Sequence, residues 1–233
     1  MRIDVVAVFP EIIEAATGVG IVGRARKSCA VEINAWQLRD WSHDPHHKVD
    51  DYQYGGGVGM VLKPEPIFEA VEDICHRESG DVEGRRIILL SPQGKRFDQT
   101  LATALSRQRH LILICGRYEG VDERVRQHLI TDEISIGDFI TTGGEAPALA
   151  VIEAVVRLLP GVLTKKEAVD EETFSRDTFD WPHYTRPPDY KGMKVPDVLV
   201  SGNHEAINKW RREQARKNTY TTRPDLLNDW RKK

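Results

Sequence analysis

Cysteine is scarce in this chain of 233 residues. Cys29, Cys75 and Cys115 are scattered, odd in number and without C-x-x-C spacing. That excludes a disulfide framework and a thiolate zinc site, and it fits a reducing cytosol, so a cytoplasmic location is expected. No apolar run approaches the roughly 20 residues of a membrane-spanning helix, and no membrane partner is expected. The opening "MRIDVVAVFPE" carries Asp4 inside its apolar run and reads as a strand, not a signal peptide. No G-K-[ST] occurs, which removes the phosphate-binding P-loop. Charge of one sign is not in excess either. The net charge of -3 argues against nucleic-acid binding by the whole surface, while leaving room for a local basic patch.

What is present is enough for a core. The chain is 40% hydrophobic and 30% charged, which excludes a disordered protein. Its length fits one large domain, or one with a small companion.

Short apolar runs alternate with helical periodicity. Strands are predicted at 3–9, 30–36, 86–90, 111–115 and 133–137. Helices are predicted from Pro10 to near Gly18, and at about 64–78, 98–107, 121–129 and 145–159. Residues 42–59, with five glycines or prolines and three histidines, read as a long loop. The fold class is α/β, a parallel sheet with helices on both faces. Beyond residue 160 the texture turns proline-rich and charged. The expected organisation is a cofactor-binding domain at 1–160, a linker at 161–176 and a small, mainly helical domain at 177–233. From 203 to 233, nine Lys/Arg face four Asp/Glu, a local +5.

Three predicted strands end in loops of small residues: "LLSPQG" 89–94, "ICGRYEG" 114–120 and "SIGDFITTGGE" 135–145. Ligands of open parallel sheets bind beyond the carboxyl ends of the strands, and glycine permits close backbone approach. "GVGIVG" 18–23 matches a dinucleotide fingerprint but follows a helix rather than a strand, and is rejected. Glu119, Asp138 and Glu145 in the strand-end loops would repel phosphates. They favour a nucleoside-like cofactor without them. In the 43–59 loop, His43, His46, His47, Asp50 and Asp51 could gather a metal, but no helical ligand spacing supports this. The alternative is a flexible flap built on Gly55, Gly56, Gly57 and Gly59 with Lys48, Tyr52 and Tyr54, suited to an aromatic, anionic substrate. Helix 145–159 is apolar nearly all round, as in a core or a subunit interface. Its Arg157 either pairs with Glu153 or stands beside the pocket. Asp170, Glu171 and Glu172 are either a solvated acidic turn or a general base on a mobile segment.

The motifs "GIVGRA", "VDDYQYGGGVGM", "LSPQGKRFDQ", "LICGRYEGVDERV", "SIGDFITTGGEAPAL", "LPGVL", "PHYTRP" and "VPDVLVSGNHEAINKWRR" run in order from residue 2 to about 227. Together they resemble the bacterial tRNA (guanine-N1)-methyltransferases of the knotted SPOUT class. The resemblance implies S-adenosylmethionine as methyl donor. It also implies a tRNA methylated on N1 of guanosine 37, after a preceding guanosine. It implies a homodimer with each active site shared between subunits, and a trefoil knot formed by the three strand-end loops. A dependence on Mg2+ is left open. Carried over by position, the cofactor site is Leu89, Leu90, Ser91, Pro92 and Gln93, with Gly116, Arg117, Tyr118, Glu119 and Gly120. The third loop adds Ser135, Ile136, Gly137, Asp138, Phe139, Ile140, Thr141, Gly143, Gly144 and Pro147. Leu89 and Phe139 stand where relatives often have tyrosine.

Guanine N1 is protonated at neutral pH and needs a base; a carboxylate can take that proton while Arg157 stabilises charge on O6. The family base is usually an aspartate just before a Ser-Phe or Ser-His pair. Here Glu172 precedes Thr173-Phe174, so Glu172 is the expected base and Asp170 the runner-up. Substrate contacts are expected from Asp50, Tyr54 and the flap glycines. In the basic tail, Lys209, Arg211, Arg212, Arg216 and Lys217 would meet phosphates, which position rather than specify. Rival readings are a knotted ribose methylase, a non-catalytic RNA-binding protein that kept the fold, and a metal-dependent nuclease built on 43–51.

Overall fold

A computed structural model describes residues 1–77, 84–163, 173 and 178–228. The chain divides into two compact units, Met1–Thr164 and Lys165–Lys233.

The first unit is an α/β layer structure. Its strands are β1 (Arg2–Ala7), β2 (Glu32–Gln37), β5 (Arg85–Arg96), β6 (His110–Cys115) and β7 (Asp132–Ser135), all parallel in the order β2-β1-β6-β5-β7. Side chains alternate across a strand, and here the alternation divides the core in two. Ile3, Val5, Ile88, Leu90, Leu111 and Leu113 face one way. They meet α1 (Pro10–Thr17), α2 (Gly20–Lys27), α4 (Gln99–Ser106) and α6 (Glu145–Val156). Val6, Leu89, Ile112 and Ile114 face the other way, onto α3 (Pro64–Arg77) and α5 (Glu123–His128). Both faces are therefore covered, which is why the strands read as continuous apolar runs.

Three elements depart from the sequence expectation. Helix α2 occupies residues for which no element was expected, overlapping the rejected "GVGIVG" match. Gly23 lies there so close to the backbone of Gly18 that no larger residue fits. The 42–59 segment is not one loop: β3 (Asp50–Tyr52) and β4 (Met60–Leu62) form an antiparallel hairpin around its glycines. Strand β5 also runs past Leu90 into its own loop, and both Leu90 and Lys95 register against Ile134 of β7.

The second unit contains the antiparallel pair β8 (Asp189–Tyr190) and β9 (Met193–Lys194). Its helices are α7 (Asp197–Val200), α8 (His204–Thr222) and α9 (Pro224–Asn228). Asn203 caps α8 by accepting from the Ala206 N–H. The predicted linker at 161–176 lies mostly outside the described residues.

At the sheet end opposite the strand-end loops, Asp4 is fully buried. Its carboxylate accepts from Arg2 Nε (2.7 Å), Trp36 Nε1 (2.7 Å) and Asn34 Nδ2 (3.2 Å), and lies 2.7 Å from His110 Nε2. Burial alone would raise its pKa. The hydrogen bonds from His110, Arg2 and Trp36 outweigh burial and hold it down at about 2, against an ordinary 3.8. Below 3.8 the unfolded chain takes up a proton that the folded chain refuses, so folding stability falls with pH in this window. Asp4→Asn should cost about 3 kcal/mol at neutral pH, because it removes the buried charge on which the Arg2, Trp36 and His110 contacts converge. It should also flatten the loss of stability between pH 4 and pH 2. Urea unfolding of both proteins across that range checks both outcomes.

Candidate functional site

The carboxyl ends of β5, β6 and β7 surround a cavity of about 610 Å³ in the first unit. Its wall is built from the three glycine-bearing loops that follow these strands. Every cofactor residue expected from the sequence lines it except Asp138, which is exposed beside it in the chain. The cavity also takes in Val121, Glu123, Arg126, Ile134 and Thr142, which sequence reasoning passed over. Glu123 and Arg126 were visible as an i,i+3 charge pair at the start of α5, just past the glycine turn.

The loops are held together by backbone contact. The Gly144 N–H donates to the Gly116 carbonyl at 2.8 Å, and Arg117 bridges to Gly143. A Cβ on Gly144 would lie 2.6 Å from Cys115 Cα, so only glycine allows this approach. Arg117 then locks the junction. Its Nε donates to Glu145 Oε1 at 3.1 Å, its Nη1 donates to the Thr142 carbonyl at 3.4 Å, and its guanidinium lies over the Phe9 ring at 4.3 Å. Glu145 is 2% exposed and does not line the cavity. It was expected to present charge to a ligand; instead it opens α6 and anchors Arg117. Tyr118 takes a left-handed backbone conformation (φ 57°), which turns the chain back so that Glu119 can follow. Burial pushes the neighbouring Cys115 thiol well above its ordinary range; the Glu145 carboxylate adds to the shift and Arg117 opposes it.

The electrostatics are acidic where they are uncommitted. Of the two lining guanidiniums, Arg117 is bound to Glu145, and Arg126 is bound to Glu133 (2.8 Å) and Glu123 (3.0 Å). Glu119 lines the cavity and stays exposed. Such a wall accommodates a cationic or hydroxyl-rich ligand better than an anionic one.

The hairpin β3–β4 is tied to the middle loop. Glu119 N–H donates to Met60 O, Leu62 N–H to Gly120 O and Asp122 N–H to Leu62 O, each at 3.0 Å. Gly59 sits against the Glu119 side chain, where a Cβ would come within 2.6 Å of Cγ. Asp50 is half-buried at the base, while Tyr54 and Gly55, Gly56 and Gly57 are exposed at the tip. The nearby histidines do not converge. His43 pairs with Glu69 at 2.9 Å, and His46 and His47 are exposed. Among the described residues no three His, Cys, Asp or Glu side chains gather as metal ligands.

Arg157 is not in the cavity wall. It caps the C-terminal end of α6, half-buried. Glu145 opens the other end beside the loops, and twelve residues of helix put about 18 Å between the two. Asp170 and Glu172 lie outside the described residues. In the second unit, Lys209, Arg212, Arg216 and Lys217 are exposed along α8, whereas Arg211 is half-buried over Trp181. Among the described residues no helix is long and apolar enough to cross a membrane.

Comparison with known sequences bears directly on this architecture. The profile of the family described as tRNA (Guanine-1)-methyltransferase TrmD matches residues 1–229. A tRNA (guanine-N(1)-)-methyltransferase of Bacillus subtilis is 52% identical over 229 residues, covering 98% of this chain and 93% of the relative. One from Dictyoglomus turgidum is 53% identical over 227 residues, covering 97% and 90%. One from Listeria welshimeri is 48% identical over 230 residues, covering 99% and 93%. Matched from end to end at this identity, the chain belongs to the tRNA (guanine-1)-methyltransferase family.

Proposed function

We propose that this protein transfers a methyl group from S-adenosylmethionine to N1 of a guanosine in tRNA. The observation that carries the reading is the cavity at the ends of β5, β6 and β7, with its glycine-permitted backbone approach and its uncommitted Glu119. S-adenosylmethionine fits it on chemical grounds. It lacks phosphates, carries ribose hydroxyls and an ammonium, and bears a sulfonium. Backbone groups of residues 89–93, 116–120, 135–137 and 139–141 would hold the adenosine, and Glu119 would face the cationic end or a ribose hydroxyl. Once bound, the cofactor supplies a methyl already activated for transfer, so the leaving group needs no metal. Magnesium could act elsewhere, and a chelator titration of turnover would show it.

The substrate of this reading is guanosine 37 of tRNA preceded by guanosine, in the cytoplasm. Glu172, with Asp170 as the alternative, removes the N1 proton, and Arg157 offsets the charge that builds on O6. The far position of Arg157 on α6 supports a homodimer in which a second copy completes each site. Ala146 and Ala150, exposed along the same helix, are small enough for close packing of such a copy. We also propose that the chain threads its strand-end loops as a trefoil knot. The doubled register of β5 on Ile134 supports this, as does Gly94 pressed against the backbone of residues 133–134. The hairpin β3–β4 encloses the target base, and the second unit is a small helical tRNA-binding domain.

Digestion of tRNA after reaction with labelled donor tests the reading. It should yield N1-methylguanosine at position 37; a ribose-methylated nucleoside would overturn it. Glu172→Gln should lose most single-turnover methylation while cofactor binding survives, and near-normal turnover would transfer the role to Asp170. Arg117→Ala strands the buried Glu145 carboxylate and frees the third loop. It should weaken cofactor binding about tenfold or more by calorimetry, and lower stability by about 3 kcal/mol. Affinity for tRNA should fall steeply with salt, and Lys209→Ala should reduce the slope of log K against log salt by about one.

A further inference from the structure

The second unit holds a cavity of about 630 Å³ for which the reaction proposed above has no use. Its walls combine Trp181, His183, Tyr184 and Arg211 with an apolar side formed by Leu199 and Ile207. The Trp181 and His183 rings lie 5.7 Å apart, and Tyr184 lies 6.4 Å from Trp210. Arg211 Cζ stands 4.9 Å from the Trp181 ring centroid. His183 is oriented by Asp180 at 2.9 Å. Tyr184 stays half exposed while lining the cavity. Arg211 Nε is buried and finds no acceptor among the described residues. A buried donor without an acceptor is costly, and a ligand that brings one relieves the cost.

We propose that this cavity receives one unstacked nucleobase of the tRNA, distinct from the methylated guanosine. The inference rests on the function proposed above. Rings and a guanidinium plane are what an extruded base stacks on, and every base has a π-face to offer. The surroundings select RNA over an apolar peptide. Lys209, Arg212, Arg216 and Lys217 are exposed on the helix that supplies Arg211, so phosphates on either side of the base meet positive charge. The base supplies ring nitrogens or carbonyl oxygens as acceptors for the orphaned Nε. Arg211 thus acts inside the cavity rather than on the solvated face of α8.

The test uses the full chain and tRNA transcripts that each carry one abasic nucleotide across the anticodon arm. Tyr184→Ala should weaken tRNA binding about tenfold, and Tyr184→Phe should restore it. Because no charge is lost, the slope of log K against log salt should stay that of the unaltered protein. One abasic position should weaken binding to the unaltered protein about tenfold, yet cost nothing further with Tyr184→Ala. His183→Ala, at an exposed position, repeats the scan should Tyr184→Ala unfold. Wild-type affinity in these variants, or losses that multiply at every abasic position, would overturn the inference. A change in self-association with unchanged tRNA affinity would also overturn it, by assigning the cavity to a second copy of the chain. If the unaltered protein makes N1-methylguanosine and the scan is flat, only this inference falls. If it makes none, the proposed function falls first.

Discussion

The cavity exists because two stretches of backbone, Cys115–Gly116 and Gly143–Gly144, lie in direct contact. No side chain separates them, and the loops after β6 and β7 are thereby fixed relative to each other. Everything built on those loops inherits that position. Helix α6 begins at the contact, Arg117 reaches across it to Glu145, and the β3–β4 hairpin hangs from the same middle loop through three backbone hydrogen bonds. A Cβ at Gly144 would force the whole arrangement apart.

The ion pair at this junction illustrates how a charged pair serves geometry rather than net stability. Buried pairs seldom gain much over apolar replacements, but they fix one arrangement because the alternative strands a charge. Arg117 is further confined by the Phe9 ring and the Thr142 carbonyl, so two separate segments of chain, at Phe9 and at 142–145, converge on one guanidinium. Both lining arginines being committed, the acidic residue that remains gives the cavity its sign.

The sheet and its covering helices were legible because parallel strands buried on both faces leave continuous apolar runs, such as "LILIC". The strand-end loops were legible from their glycines. Other features depend on partners distant in sequence. Nothing local reveals that Glu145 is buried, since only its pairing with a residue 28 positions earlier makes burial tolerable. The hairpin spanning 50–62 was hidden because its strands are three residues each, too short for alternation to register. Helix α2 was masked by its glycines, of which Gly23 serves close packing against the Gly18 backbone while Gly20 takes a left-handed conformation at the helix start. Arg157 admitted two readings in the sequence, a pair with Glu153 or a place beside the pocket, and a position at the far end of α6 is not something local pattern reveals. Resemblance to the family named the cofactor positions that pattern alone could only gather into three loops.

Cys115 sits directly behind the Gly144 contact, with its thiol pushed far from ionisation by burial and by the carboxylate next to it. Thiol chemistry needs the thiolate and access. Cys29, exposed and distant in sequence from these loops, would therefore meet an alkylating reagent first. The sulfur behind the Gly144 contact is thus shielded twice over, by burial and by its raised pKa, so alkylation of the folded protein should begin elsewhere in the chain.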